Sequence, residues 1–308
     1  MQTSVKLGRR DFLKLGAASG LALSVAARTQ AIGSHMERRV IRATGEEIPV
    51  IGLGTSDEFE DIPADGGAEL KAVIRTLVEQ GGTLIDTAPG YGEAEQILGE
   101  FIAELGLMDT LFVSTKVKQT GTERGMESLE RSQRLLRKDP LDLMMVHSLE
   151  DTITQLENLH AFKEAGRVRL VGVTTYSNMR YDFVEDLIRA GRCDVIQVDY
   201  SVANALAEER LIPVAAEHGV AVMVNSAFGN GGYFRALRGR ELPGWAAEFE
   251  CESWAQFSLK YILSNPDVTC VLAATSDSAH MLDNARAGFG PLPDAAARQR
   301  MLAHLRDI

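Results

Sequence analysis

Short apolar runs alternate with amphipathic helical segments eight times along this chain, and this alternation limits the possible folds more than any other feature. The runs lie at 50–53, 83–86, 111–117, 141–147, 170–175, 195–200, 221–225 and 268–273. Apolar residues recur with helical spacing at 66–80, 93–105, 123–137, 153–165, 180–190, 204–218, 247–264 and 278–288. Eight strands that alternate with eight helices predict an α/β fold of the (β/α)8 TIM barrel type.

Two smaller elements flank the predicted barrel. A hairpin at 40–48, turned at Thr44-Gly45, precedes the first strand, and a short helix at 294–305 ends the chain. A doubly wound sheet is the alternative, but it would need a glycine-rich phosphate-binding turn after its first strand. Here Gly52-Leu53-Gly54 leads into the acidic segment 57–61, which would repel a pyrophosphate. We therefore assign residues 40–308 to one barrel domain and residues 32–39 to a linker.

The first 31 residues form a separate segment. Arg9-Arg10 is followed by Asp11-Phe12-Leu13-Lys14 and by a soft apolar stretch at 15–27, which is too short to span a membrane. The segment resembles a twin-arginine export signal, although an amphipathic N-terminal helix is an alternative. The resemblance implies that the twin-arginine machinery exports the folded protein, and that the mature protein is periplasmic and has no membrane span.

Charge and cysteine content exclude two classes of protein. The net charge is −11, and it becomes −15 without residues 1–31, so no basic surface is predicted for nucleic acid. Cys193, Cys251 and Cys270 are an odd set, which argues against a disulfide framework.

Polar residues lie at the ends of three consecutive predicted strands. Asp86 ends the second strand, Lys116 lies in the third, and His147 ends the fourth. Because the carboxyl ends of barrel strands meet at one face, we expect these side chains to converge there. A buried lysine is costly unless its charge is paired, and Asp86 is the available partner. The sequence therefore predicts a site at this face, with Tyr91 in the loop beside it.

The residues of this site resemble those of the aldo-keto reductase family. The segment DTAPGYGEAEQILG at 86–99 is similar to the central signature of that family, Thr115-Lys116 to its lysine strand, and Val146-His147 to its histidine strand. The resemblance implies NAD(P)H-dependent reduction of an aldehyde or ketone by a tetrad of Asp86, Tyr91, Lys116 and His147. Tyr91 would be the general acid, with a pKa lowered by Lys116; Asp86 would hold Lys116, and neutral His147 would orient the carbonyl.

The resemblance also implies an extended nicotinamide cofactor. At its nicotinamide end, Gln197 matches the family, Thr174 and Thr175 stand where a Ser-Asn pair is common, and Asn225, followed by Ser226, stands where an aromatic residue often stacks on the ring.

At the adenosine end, the resemblance assigns the cofactor to the segment that follows the last strand. NADPH is the usual cofactor of the family, but Ala274 and His280 stand where basic residues often hold its 2′-phosphate, so NADH is possible. Thr275, Ser276, His280 and Asn284 are the predicted contacts.

Other functions are open at this point. A barrel that binds a nucleotide or a protein without turnover is the main alternative, since Asn225 departs from the family. Metal-dependent hydrolysis would need clustered ligands, and no metal site is predicted because His147 is the one histidine at a strand end. Phe59, Tyr176 and Trp245 are the aromatic residues expected to line the substrate pocket, and the sequence does not identify the small-molecule carbonyl substrate.

Overall fold

A computed structural model describes residues 35–176, 178–229 and 231–306. Eight parallel strands form a closed barrel that follows the order of the chain, and the last strand pairs with the first. This confirms the predicted TIM barrel. The barrel strands are β3 (Ile51–Gly54), β4 (Leu84–Asp86), β5 (Phe112–Val117), β6 (Leu141–Val146), β7 (Val168–Thr175), β8 (Val195–Asp199), β9 (Ala221–Asn225) and β10 (Cys270–Ala274).

Each barrel strand is followed by at least one helix, as the alternating pattern predicts. The helices are α1 (Ala68–Glu79), α2 (Ala94–Leu105), α3 (Thr122–Leu136), α4 (Thr152–Glu164), α5 (Tyr181–Arg189), α6 (Leu206–Glu209), α7 (Leu211–His218), α8 (Gly232–Ala236), α9 (Trp254–Leu263), α10 (Ser278–Arg286) and α11 (Ala295–Arg306).

Two predicted helices are divided. The segment 204–218 breaks between α6 and α7 because Pro213 is tolerated only in the first turn of a helix, so α7 begins at Leu211. The segment 247–264 is a 3₁₀ turn at Gly244–Phe249 followed by α9. Ser253 caps α9 by accepting a hydrogen bond from the Gln256 N–H, which starts a new helix there.

A hairpin of β1 (Arg38–Ile41) and β2 (Glu46–Pro49) precedes the barrel, as predicted. The Arg39 guanidinium donates to the Leu263 carbonyl at 2.6 Å and to the Asn265 carbonyl at 2.9 Å, which satisfies groups at the C-terminal end of α9. Met36 is also buried in the core, so the contacts of the barrel begin before Val40.

Side chains on the inner wall of the barrel change from apolar to polar along the strands. Near the start of the strands, the interior is filled by a cluster that includes Leu84, Phe112, Leu143 and Leu170. Because successive side chains alternate between the two faces of a strand, residues two or four positions later face inward again. Asp86, Lys116, Thr174, Gln197 and Asn225 occupy those later positions, and His147 continues the row just beyond β6.

No helix within the described ranges has both the length and the apolar character that a membrane span requires.

Candidate active site

A buried ion pair lies at the carboxyl ends of β4 and β5. Lys116 Nζ lies 2.5 Å from Asp86 Oδ2 and also donates to the Thr87 carbonyl at 2.9 Å. The Ser114 hydroxyl donates to Asp86 Oδ1 at 2.8 Å. Since Lys116 is 1% exposed and Asp86 4%, each charge depends on the other for compensation. The structure thus confirms the expected pairing.

Tyr91 lies over this ion pair, in the loop that follows β4. Lys116 Nζ is 5.1 Å from the centroid of the Tyr91 ring. Burial raises the pKa of Tyr91, and Asp86 raises it further, whereas Lys116 and Ser56 lower it; the net direction is upward. The expected net lowering of this pKa was therefore wrong. Lys116 acts in the expected direction, but Asp86 already neutralises its charge, so the loss of hydration dominates.

His147 faces Tyr91 edge-on. Their ring centroids are 5.9 Å apart, with an angle of 89° between the planes. Burial lowers the pKa of His147 to about 4, and the charge of Lys116 lowers it as well, so the imidazole is neutral near pH 7. The Thr174 hydroxyl accepts a hydrogen bond from the Ser148 N–H at 2.9 Å, which joins the end of β7 to the turn that carries His147.

A cavity of about 420 Å³ opens beside Tyr91, and several predicted site residues form its wall. Lys116 and His147 do not line this cavity, but both lie beside the ring of Tyr91, which does. The predicted residues in the wall are Asp86, Tyr91, Gln197, Asn225 and Ser226.

Two amide side chains in this wall contact each other. Asn225 Nδ2 donates to Gln197 Oε1 at 3.4 Å. Gln197 Nε2 and Asn225 Oδ1 are buried and have no hydrogen-bond partner among the described residues. The pair therefore offers one donor and one acceptor at the cavity. Thr175 is also buried, one residue beyond Thr174 at the end of β7.

A second cavity, of about 520 Å³, adjoins the first. Phe228 and Ala274 belong to the walls of both. Thr275, His280 and Asn284, three of the four residues predicted for the adenosine end, line the second cavity. Predicted nicotinamide contacts thus line the first cavity, and predicted adenosine contacts line the second.

Three carboxylates surround the N-terminus of α10. The Ser276 hydroxyl donates to Glu58 Oε2, and the Ser278 N–H donates to Glu69 Oε1 at 2.7 Å. Asp277 caps the helix by accepting from the N–H groups of Ala279 and His280, at 2.8 and 3.0 Å. A phosphate near Ser276 would therefore lie beside negative charge, because the N–H groups that usually bind an anion already have carboxylate partners.

Phe228 is an aromatic residue in the walls of both cavities, and it was not among those predicted from the sequence. Phe59 is fully buried in the core, Tyr176 is 71% exposed, and Trp245 packs on Phe257 with ring centroids 5.7 Å apart, so the expectation for these three residues was wrong. The signal for Phe228 was its position at the start of a glycine-rich loop that follows a strand end. In the described part of the chain, no three His, Cys, Asp or Glu side chains group as metal ligands.

Comparison with known proteins identifies the family. The model of the aldo/keto reductase family matches residues 50–299, and the chain belongs to this family. It is 30% identical over 264 residues to methylglyoxal reductase YeaE of Escherichia coli (strain K12), which covers 81% of this chain and 89% of that protein. It is 25% identical over 245 residues to an NADH-specific methylglyoxal reductase of the same organism, covering 68% of this chain and 73% of that protein.

Solved structures share the fold. An aldo/keto reductase from Klebsiella pneumoniae, in complex with NADP and acetate, superposes with a TM-score of 0.74 at 24% identity, over 86% of this chain and 94% of that chain. Membership of the family defines the class of protein: the chain is an NAD(P)-dependent oxidoreductase that acts on carbonyl groups.

Proposed function

We propose that the enzyme reduces a carbonyl group to an alcohol and that Tyr91 gives the proton. The observation that carries this proposal is the buried Lys116–Asp86 pair beneath Tyr91, next to a neutral His147. When bound, the reduced nicotinamide supplies a hydride to the carbonyl carbon. The electron pair of the C=O π bond moves to the oxygen, which takes the proton from Tyr91 Oη.

The surrounding residues suit this proton transfer. The raised pKa of Tyr91 keeps the phenol protonated before the reaction, as a proton donor requires. Lys116 then stabilises the phenolate, which solvent reprotonates. Neutral His147 provides a hydrogen-bonding group that orients the carbonyl. In the reverse reaction the Tyr91 phenolate accepts the proton.

We assign the cofactor to the two adjoining cavities. The unpaired Gln197 Nε2 fits the carboxamide oxygen of a nicotinamide, and the second cavity provides the volume for the adenosine. NADPH is the proposed cofactor because it is usual in the family and because the Klebsiella relative was solved with NADP. The nicotinamide contacts would be Thr174, Thr175, Gln197, Asn225 and Ser226, and the adenosine contacts Thr275, Ser276, His280 and Asn284.

The proposed substrate is a small, uncharged aldehyde or ketone. The cavity beside Tyr91 has a modest volume, and its wall includes Asp57 and Glu58, which disfavour an anionic substrate. Methylglyoxal is the first compound to test, because it fits these limits and the E. coli relatives are named for it.

The test is to follow the oxidation of NADPH, and of NADH, by methylglyoxal and a panel of simple aldehydes. We expect turnover that falls about 10²- to 10⁴-fold in Tyr91→Phe, the range for loss of a general acid. Tyr181→Phe is the matched control, because Tyr181 is a buried tyrosine of α5 outside both cavities. Saturable nucleotide binding with no turnover of any carbonyl would favour the non-catalytic binding barrel instead.

We also propose that the twin-arginine machinery exports the protein to the periplasm, with residues 1–31 as its signal. These residues lie outside those that the structure describes, and the support is their sequence. Replacing Arg9 and Arg10 with lysine should retain the protein in the cytoplasm on cell fractionation, whereas Arg28→Lys should not. An unchanged distribution in the double variant would contradict the export signal.

A further inference from the structure

We infer that Asn225 is a specificity-determining residue for the cofactor. Its Oδ1 atom accepts a hydrogen bond from the carboxamide NH₂ of the nicotinamide. This inference rests on the proposed function. Asn225 stands where the resemblance places a ring-stacking aromatic residue, so the chain would replace stacking, which has little directional demand, with a directional hydrogen bond.

The two amides pair in a way that leaves one polar group of each without a partner among the residues that the structure describes. Gln197 accepts the hydrogen bond through Oε1, so its Nε2 donor has no partner there. Asn225 donates through Nδ2, so its Oδ1 acceptor has no partner there. Gln197 is 2% exposed, so water does not readily supply the missing partner. A buried polar group without a partner is destabilising, because its lost hydration is not replaced by another hydrogen bond. A ligand that supplies both partners would recover this cost.

The two unpartnered groups define the chemistry of that ligand. One donor beside one acceptor is complementary to a primary carboxamide, whose oxygen accepts and whose NH₂ donates. Both side chains line the cavity that contains Tyr91, where the hydride must be delivered. A carboxamide bound by Gln197 and Asn225 would thus fix the rotation of the nicotinamide ring beside the proton donor.

The register of β8 and β9 sets the distance between the two amides. Gln197 pairs with Met223, and Asp199 pairs with Asn225, so the two amides are diagonal neighbours across β8 and β9. Because adjacent strands lie about 4.8 Å apart and rise about 3.3 Å per residue, such neighbours are about 8 Å apart at their Cα atoms, within reach of side chains of this length. The strands therefore determine the spacing of the amide pair, and the glycine-rich loop that begins beyond β9 does not.

The test uses two nucleotides that differ only at this group. NADP⁺ carries the carboxamide, and its 3-acetylpyridine analogue keeps the carbonyl oxygen but has a methyl group in place of NH₂. Dissociation constants would be measured by calorimetry, and by the fluorescence of Trp254, which lines the adenosine cavity. We expect the wild-type protein to bind NADP⁺ about three- to tenfold more tightly than the analogue, the range for one hydrogen bond.

Variants of the two amides should change the two dissociation constants in different ways. Asn225→Leu keeps the volume but removes the acceptor, and should bind both nucleotides with equal affinity. Gln197→Met removes the donor to the carbonyl oxygen, which both nucleotides have, and should weaken both by a similar factor. Should Asn225→Leu fail to fold by circular dichroism, Asn225→Ala makes the same test.

The outcomes separate the inference from the proposed function. A wild-type protein that binds both nucleotides equally, or an Asn225 variant that keeps the wild-type ratio, would overturn the role of Asn225 and leave the reductase proposal in place. A wild-type protein that binds neither nucleotide would overturn the proposed function and this inference together.

Discussion

The carboxyl ends of β4–β6 and the N-terminus of α10 differ in how their charges are compensated. At the strand ends, Lys116 and Asp86 neutralise each other within the barrel, and Ser114 completes the hydrogen bonding of the carboxylate. At the helix end, Glu58 and Glu69 come from the loop and the helix that follow β3, and each carboxylate accepts a hydrogen bond from a neutral group of Ser276 or Ser278. The comparison teaches that the proposed proton transfer depends on a charge pair held within buried strands, whereas the carboxylates beside the predicted phosphate contacts lie nearer the surface, where a single substitution can remove a charge.

Breaking the buried pair should have the largest effect. Lys116→Met leaves the Asp86 carboxylate buried without a countercharge, which costs about 3–5 kcal/mol. We expect the free energy of unfolding, measured by urea denaturation at pH 7, to fall by that amount. Turnover should fall as well, because the phenolate of Tyr91 loses its stabilising ammonium.

The control for this prediction removes both charges. The double variant Asp86→Asn/Lys116→Met should recover much of the lost stability without recovering turnover, because no charge then stays buried. Equal destabilisation by the single and the double variant would mean that packing, and not charge, holds this region together.

Removing the link behind His147 should have a smaller effect. Thr174→Val keeps the shape of the side chain but removes the acceptor of the partly buried Ser148 N–H, and the loss of one such hydrogen bond costs about 0.5–1.5 kcal/mol. We expect a loss of stability in that range and a lower kcat, since the turn that carries His147 becomes less fixed. Thr174→Ser, which keeps the hydroxyl, should be close to the wild type; if it is as impaired as Thr174→Val, the hydroxyl is not the cause.

The pH dependence of stability should show that the pKa of His147 is lowered in the folded protein. Its pKa is lowered to about 4 in the folded protein from an ordinary value of 6.5, so between these values the unfolded chain binds a proton that the folded protein does not. The contribution of His147 to stability is therefore complete above pH 6.5 and is lost as the pH falls towards 4. Wild-type protein should lose more urea resistance over this window than His147→Gln, and parallel losses would place the pKa of His147 near its ordinary value.

Neutralising one carboxylate at the helix end should have the smallest effect and should act on one cofactor. Glu69→Gln keeps an oxygen for the Ser278 N–H but removes a negative charge near the predicted 2′-phosphate site. We expect NADPH to bind about two- to fivefold more tightly while NADH is nearly unchanged, because only NADPH carries that phosphate. Glu79→Gln, at the other end of α1, is the matched control; an equal gain for NADH would show that Glu69 acts on a different part of the cofactor.

The sequence alone predicted the barrel and the catalytic strand ends because both depend on local patterns. Apolar runs located all eight strands within a few residues, and the buried position of Lys116 indicated its partner Asp86. Features that arise from distant pairs were not predictable. Glu58 and Ser276 are 218 positions apart, and Glu69 and Ser278 are 209 apart, so no local pattern connects them. The direction of the Tyr91 pKa also depends on burial, which spacing does not reveal.

The first and last strands of the barrel are neighbours, and this has a consequence for the order of events in the cell. Ile51 pairs with Val271 and Gly54 with Ala274, so β3 has no partner on one side until β10 has been synthesised. A growing chain that still lacks β10 exposes β3 and β9 as open edges, which are sites of aggregation. The closed barrel can therefore form only after β10 has left the ribosome, and any transport that acts on the folded enzyme must follow the synthesis of β10.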